Sequence, residues 1–277
     1  MSLRINQNLE AMIGHRHLSR SSNHLAKSME RLSSGLRINR ASDDAAGLAL
    51  SERMRSTING LAQAQRNAQD GISLVQTAEG SLQEVTNILQ RIRDLAVQFN
   101  NGVYGSAEKQ SLAAEVAELS LELDRIVASA EFAGYPLLDG TTPDIILQAG
   151  PNSGDTITIT GVDVAPSLGA EIATFAGYAT TAGLTTTVDI DAIQAAIDNV
   201  SAIRGQFGAV GNRLEYTINS LGAYQENLQA AESRIRDVDM ASEMVEFTRL
   251  QILQQTGIAM IGQANMNKQS LLSLLMN

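Results

Sequence analysis

At 277 residues the chain is long enough for one or two ordinary globular domains, but it has no Trp, only five Phe and five Tyr, and its 44% apolar content is mostly Ala, Leu, Ile, Val and Met. That composition excludes a thick core built on aromatic rings and favours thin seams between long helices. A net charge of −10 argues against nucleic acid as a partner, and the absence of Cys excludes disulfides, thiol nucleophiles and Cys-based metal sites.

The charge is unevenly spread. Residues 1–60 hold nine Lys or Arg against five acids, whereas 61–144 hold five against twelve and 189–277 hold six against ten. A basic N-terminal arm on an acidic body can steer one copy onto another, although ordinary solvated faces give the same pattern.

The arm carries Ala11, Leu18, Ser22, Leu25, Met29, Leu32 and Leu36 mostly at steps of three and four, a helix period with an imperfect seam. Gly35 and the polar run RINRASDD interrupt it. Ser42 then suits an N-cap, placing Asp43 and Asp44 in a first turn where acids complement the helix dipole. The next helix should run from about Asp44 to Phe99, because Leu61, Ala64, Ala68, Ile72, Val75, Ala78, Leu82, Val85, Leu89, Ile92 and Ala96 keep the rhythm throughout. NNGVYGS, Asn100 to Ser106, breaks it, and Leu112, Val116, Leu119, Leu123 and Ile126 mark a shorter helix folding back antiparallel.

Between Phe132 and Thr187 the character changes, with all four prolines lying among many Gly and Thr. Ile145 to Gln148 and Thr156 to Thr160 read as two strands joined by a Gly-Pro-Asn-Ser-Gly turn, and 168–187 yields no assignment. Helix resumes at Asp189, with Ile190, Ile193, Ile197, Val200, Ile203, Phe207, Val210, Leu214, Ile218, Leu221, Tyr224, Leu228, Ala231, Ile235 and Val238 in step. The chain goes out along one rod and returns along another. The expected fold is mainly α: a long antiparallel helical hairpin or coiled-coil bundle, paired N- and C-terminal helices, and a small β-hairpin region in the middle.

From Leu250 to Asn267 there is no charge, but Gln251, Gln254, Gln255, Gln263, Asn265 and Asn267 supply amides throughout. Amides are expensive in hydrocarbon, so no membrane insertion is expected. A helix lying between protein partners, beside a wet neutral channel, fits better.

Candidate chemistry is sparse. His15 and His17 point about 200° apart on a helix, and His17 and His24 are two turns apart, too far to share a metal. Asp43 and Asp44 diverge as helical neighbours and have no catalytic His, Cys or acid cluster beside them. No phosphate-loop or nucleophile-elbow motif occurs. Neither catalysis nor a metal or cofactor is expected, and no nucleic acid.

LSSGLRINRASDDAAGLALSERMRSTINGLAQAQRNAQDGISLVQTAEGSLQEV closely resembles the N-terminal signature of bacterial flagellin, the subunit of the flagellar filament. NRLEYTINSLGAYQENLQAAESRIRDVDMASEMVEFTRLQILQQTGIAMIGQAN resembles that family's C-terminal signature. With flanking sequence the similarity spans roughly 1–140 and 189–277. It implies an inner helix and spoke over 1–43, an outer helical domain from 44–131 and 189–239, a β-hairpin with variable loops over 132–188, and a C-terminal inner helix over 240–277. Large outer domains of longer members are missing, so the chain resembles a short form. Two local departures stand out: Phe132-Ala133-Gly134 where the family often has Phe-Asn-Gly, and QANMNKQS where many members have a Pro after QAN.

The resemblance implies a secreted structural subunit that polymerises helically for motility, with a hook–filament junction protein of the same superfamily as the alternative. Its implied partners are other copies of the chain, a filament cap, junction proteins and a secretion chaperone that covers the C-terminal helix. Export would use the flagellar type III apparatus, in keeping with the lack of a continuous apolar h-region in MSLRINQNLEAMIGHRHLSR. The spoke would contain Arg37, Asn39, Asp43 and Asp44. Polymer contacts are expected from Leu18, Leu25, Met29, Leu32, Leu253, Met260, Ala264, Leu271, Leu274 and Leu275 on the terminal helices, which have nowhere to bury their apolar faces in a lone subunit. QRIRDLAV resembles the segment contacted by the animal Toll-like receptor for flagellin, with Gln90, Arg91, Leu95 and the adjoining Glu115 as carried-over contacts.

Overall fold

The computed structural model describes residues 8–141, 143–164, 172–178 and 187–275, and at 268 and 271–275 the backbone alone. In chain order it contains α1 (Leu9–Ser34), α2 (Ala45–Phe99), α3 (Ser106–Ser129), β1 (Glu131–Phe132), β2 (Tyr135–Pro136), β3 (Ile145–Gln148), β4 (Thr156–Ile159), α4 (Ile190–Arg236) and α5 (Met240–Leu275). The strands form two antiparallel pairs, β1–β2 and β3–β4. Of the stretch 168–187 left unassigned above, 172–177 is helical, while 168–171 and 179–186 lie outside the described residues.

The chain divides into two compact units, one of Asn59–Gln225 and one of Met1–Ile58 with Glu226–Asn277. The first, central unit holds nearly all of the core. Its α2 stripe runs along one face from Leu61 to Phe99, and Leu82, Val85, Leu89 and Ile92 are wholly excluded from solvent. This is what a sustained three-four spacing produces when one face is covered along its length. α4 runs antiparallel against it: a Cβ at Gly71 would crowd Leu214, and one at Gly211 would touch Val75. From α3, Ala113, Val116, Leu123 and Val127 close the bundle, with Leu112, Leu119 and Ile126 half-buried around them. Tyr224, placed on the α4 stripe by its spacing, is half exposed instead; the last apolar side chain to be buried on that helix is Leu221.

The hairpin β3–β4 pairs Ile145 with Ile159 and Gln148 with Thr156. Ile157 and Ile159 point into the core while Thr156 and Thr158 face solvent, the two-residue alternation of a half-covered strand. It is tied to α2 by the Asn67 Nδ2 amide donating to the Gln148 carbonyl (3.0 Å), and Gly71 leaves the space that Leu147 occupies. The tighter β1–β2 hairpin turns through Ala133 (φ 52°) and Gly134 (φ 82°), so the turn needs left-handed backbone at both positions. The segment 172–178 is pinned by aromatic contact: Phe175 meets Phe99 edge-on at 5.1 Å, and Tyr178 stacks on Phe99 at 5.9 Å.

Candidate functional site: the terminal helix pair and its joint

The second unit starts from an Asx cap. Asn8 Oδ1 accepts from the Ala11 N–H (3.2 Å), satisfying an orphan donor of α1. Its Nδ2 reaches across to the Ala264 carbonyl (3.3 Å) and Asn265 Oδ1 (3.0 Å) on α5. One side chain thus caps a helix and joins it to its partner. α1 and α5 then pair antiparallel along their lengths.

The seam differs from the one read off the sequence. On the seam face of α1 the solvent-shielded positions are Ala11, Gly14, Leu18, Ser21, Leu25, Ser28 and Leu32, with Glu30 and Arg31 also half-shielded near its end. On α5 they are Glu243, Phe247, Leu250, Gln254, Gly257, Ile261 and Ala264, with Glu246 also half-shielded. Both sets step by alternate threes and fours, the seam of two long helices. Leu18, Leu25, Leu32 and Ala264, expected as polymer contacts, lie on this seam within the subunit, and Ser21 and Ser28 replace Ser22 and Met29 on it. Met29 is 55% exposed, and Leu253 and Met260 are 47% and 64% exposed on the outer side of α5. The reason is how the side chains interlock. A Cβ at Gly14 would come within 3.0 Å of Ile261, and one at Gly257 within 3.4 Å of Leu18. Such contacts require a Gly or other small residue wherever a large side chain of the opposite helix sits, as Ile261 does at Gly14 and Leu18 at Gly257. Leu271, Leu274 and Leu275 lie on the α5 backbone with side chains outside the description.

The consequence is a nearly coreless unit. Among its described residues only Ser28, Ile38, Ser51 and Leu250 are buried. Outward-facing apolar side chains are abundant: Leu9, Met12 and Ile13 on α1, and Met244, Val245, Ile252, Ile258 and Met266 besides Leu253 and Met260 on α5. So many large apolar side chains left in water mark a surface meant to be covered. Of the amides, Gln254 sits on the seam, and Gln251, Gln255, Gln263, Asn265 and Asn267 are exposed. No described helix is long and apolar enough to cross a membrane.

The stretch between α1 and α2 is a joint held by polar groups. α1 ends on Gly35 in the left-handed region (φ 71°), its N–H bonded back to the Arg31 carbonyl (2.8 Å). The chain then pairs with the link between α4 and α5: the Arg37 N–H donates to the Arg236 carbonyl (2.6 Å), and the Val238 N–H to the Gly35 carbonyl (3.0 Å). Arg37 Nη2 also donates to the Ile235 carbonyl (2.5 Å). Arg40 and Asn39 both reach Glu30, at 2.8 and 3.4 Å. Asp43 Oδ2 accepts from the Asn39 and Arg40 N–H groups and its Oδ1 from Lys27 Nζ (3.1 Å). The Lys27 hydrogen bond, followed by the backbone N–H of Arg40, holds the Asp43 carboxyl below its ordinary range. Ser42 is not the cap of α2. Asp44 is, its Oδ1 accepting from the Gly47 N–H (2.9 Å), and Asp43 closes the preceding turn. Two adjacent acids thus divide two structural tasks, and neither is arranged for catalysis.

In the central unit, Gln90, Arg91 and Glu115 are exposed and adjacent: Arg91 Nε and Nη2 both donate to Glu115 Oε1, at 2.9 and 2.6 Å. Leu95 is not part of that exposed face. It is 1% exposed, in the core behind it, and the nearby apolar side chain open to solvent is Val97. The three histidines are exposed along α1, and the described residues contain no cluster able to hold a metal.

A pair of terminal helices closed on each other along one seam, with many large apolar side chains left outside it, is what a subunit of a larger assembly presents. The chain belongs to the bacterial flagellin family: residues 5–142 match that family's N-terminal helical region and 190–275 its C-terminal helical region. It is 51% identical to the flagellin of Halalkalibacterium halodurans over 98% of this chain and 99% of that one. It is 46% identical to the flagellin of Bacillus subtilis, over 99% of this chain and all of that one. A putative flagellar hook-associated protein from Vibrio parahaemolyticus shares the fold, with a TM-score of 0.59 over 70% of this chain and all of that one, at 16% identity. The chain is a short filament subunit of the flagellum, and the hook–filament junction reading is not favoured. The family is a structural one.

Proposed function

We propose that assembly runs through the outer apolar faces of α1 and α5, while their shared seam holds the pair together within one subunit. The observation that carries this is the exposure of Met29, Leu253, Met260 and their neighbours beside a seam already filled from both helices. Neighbouring copies would bury those faces at about 1.5–3 kcal/mol for each fully covered large side chain. Leu271, Leu274 and Leu275 extend the apolar sequence at the C-terminal end. Before assembly such a surface needs cover, which supports a chaperone on α5 and export as an unfolded chain through the flagellar apparatus to an extracellular filament, meeting junction proteins at one end and a cap at the other.

The test is elongation of filament seeds. Leu253→Asp with Met260→Asp should leave the helical circular dichroism of the free subunit unchanged, because both side chains are already in water, and should abolish elongation. Removal of Ser270–Asn277 should also abolish elongation while keeping most of the helical circular dichroism, since it takes only the end of α5. Normal elongation by both variants would refute the assignment.

The exposed Gln90, Arg91 and Glu115 surface supports receptor contact, with Leu95 shaping it from within. Arg91→Ala with Glu115→Ala should reduce signalling by soluble subunit through the flagellin-sensing Toll-like receptor. Unchanged potency would exclude that surface. Leu95→Ala is uninformative here, because opening a buried site costs about 2–5 kcal/mol of stability.

A further inference from the structure

A Gly following Asn leaves its backbone nitrogen unhindered for attack on the Asn side-chain carbonyl. The chain has this dipeptide at Asn59-Gly60 and Asn101-Gly102. Both Asn side chains are exposed, so access to water does not distinguish them. The backbone does. Asn59 and Gly60 lie inside the 55-residue α2, where the Gly60 N–H belongs to the helical ladder and Gly60 packs against Pro151. Cyclisation there requires opening the helix.

Asn101 lies just beyond the end of α2, in the turn leading to α3. Its neighbour Asn100 is held by reciprocal hydrogen bonds with Val188, at 2.8 and 2.9 Å. Asn101 Oδ1 instead accepts from the Val103 N–H (3.1 Å). This Asx turn folds the side-chain carbonyl over the Gly102 peptide and polarises its carbon. Nothing lies within 4 Å of where a Gly102 Cβ would be.

We propose that Asn101 is a site of spontaneous deamidation, with water as the co-reactant. The Gly102 backbone nitrogen bonds to Cγ of Asn101 and gives up its proton. The bond from Cγ to the side-chain nitrogen breaks, ammonia leaves, and a five-membered succinimide remains. Water then opens either carbonyl to give aspartate or isoaspartate; nothing is oxidised or reduced. Either product sets a negative charge at the carbonyl end of α2, where the helix dipole disfavours it. Isoaspartate also lengthens the backbone of the turn by one carbon. The inference depends on this turn alone, so it stands or falls separately from the assembly reading.

The full chain, folded, is held in mildly alkaline buffer for days and sampled by peptide mass mapping with isoaspartate-specific methylation. The Asn101 peptide should convert while the Asn59 peptide does not, and in denaturant both should convert. Gly102→Ala should slow conversion at Asn101 by about tenfold, ~1.4 kcal/mol of barrier. That variant should fold normally, because Gly102 is not among the residues with positive φ and the added methyl meets open space. Equal conversion at Asn59 and Asn101 in the folded protein would overturn the proposal. So would an unchanged Asn101 over a period in which both sites convert in denaturant, or a Gly102→Ala rate equal to that of the parent.

Discussion

Ala133 occupies a left-handed position (φ 52°) next to Gly134, on an exposed turn where the family often has Asn. An Ala side chain in that region costs roughly 1–2 kcal/mol, whereas Asn tolerates it through local hydrogen bonding. Ala133→Asn should therefore stabilise the central unit by about 0.5–1 kcal/mol, read as a higher thermal midpoint; a lower midpoint would mean the turn is relaxed as it stands. At the joint, the Asp43 carboxyl is held below its usual range first by Lys27 and then by the Arg40 amide. A depressed carboxylate contributes stability that is present above the unfolded-state pKa and lost as pH falls through the folded one. Protection of the Asn39 and Arg40 amides from hydrogen exchange should accordingly fade as the solution is acidified below about pH 4. In Asp43→Asn that protection should already be weak at neutral pH and respond little to acid. The departure at Ala133 was visible in the sequence, but its conformational demand was not, because an Ala carries no mark of the φ it will be given.

The terminal helices show how an element's spacing and its environment separate. Steps of three and four on α1 can be drawn through Ser22 and Met29 or through Ser21 and Ser28, one residue apart. The structure uses the second set because α5 approaches closely at Gly14 and Gly257. The Ser21 and Ser28 hydroxyls are buried without a hydrogen-bond partner, so size and not polarity selects them. Ser28→Ala should then be neutral or stabilising by up to about 1 kcal/mol, since it removes an unsatisfied group. Ser28→Leu should force the helices apart and destabilise the pair by about 1–3 kcal/mol. Limited proteolysis of the terminal segments checks both; greater sensitivity in Ser28→Ala than in Ser28→Leu would reverse the argument. Helix starts follow a plainer rule. Asn8, Asp44, Asp189 and Asp239 each present a side-chain oxygen to a first-turn N–H of α1, α2, α4 and α5. Ser42 competed for this role at α2 on composition alone and lost it to the residue nearest the helix.

Across the whole molecule, burial is divided sharply. The central unit carries a continuous core from Ala68 to Leu214, whereas the unit of the two termini buries only four of its described side chains. Stability should follow the same division. Native-state hydrogen exchange in the free subunit should find slow amides along Leu82–Ile92 and Ile193–Phe207, and fast ones along α1 and α5. In the polymer the terminal helices should become protected. Equal protection of both units in the free subunit would mean that the termini are stable before assembly, contrary to their exposed apolar surface.

The long stripes of α2, α3 and α4, the strands at 145–148 and 156–159, and the breaks at Gly35 and Asn100 were all legible from hydrophobic period and turn chemistry. So was the absence of charge from Leu250 to Asn267 on α5. These are local properties: a sustained period needs only a covering surface, and almost any apolar one satisfies it. The choice between adjacent registers was different. Whether Ser21 or Ser22 faces inward, whether Leu95 is an exposed contact or core, and whether Leu253 and Met260 point into or away from the pair depend on the distance and rotation of another helix, far off in sequence. Packing alone supplies that information, because the side chains of the opposing helix decide which positions face inward and how much room each one has.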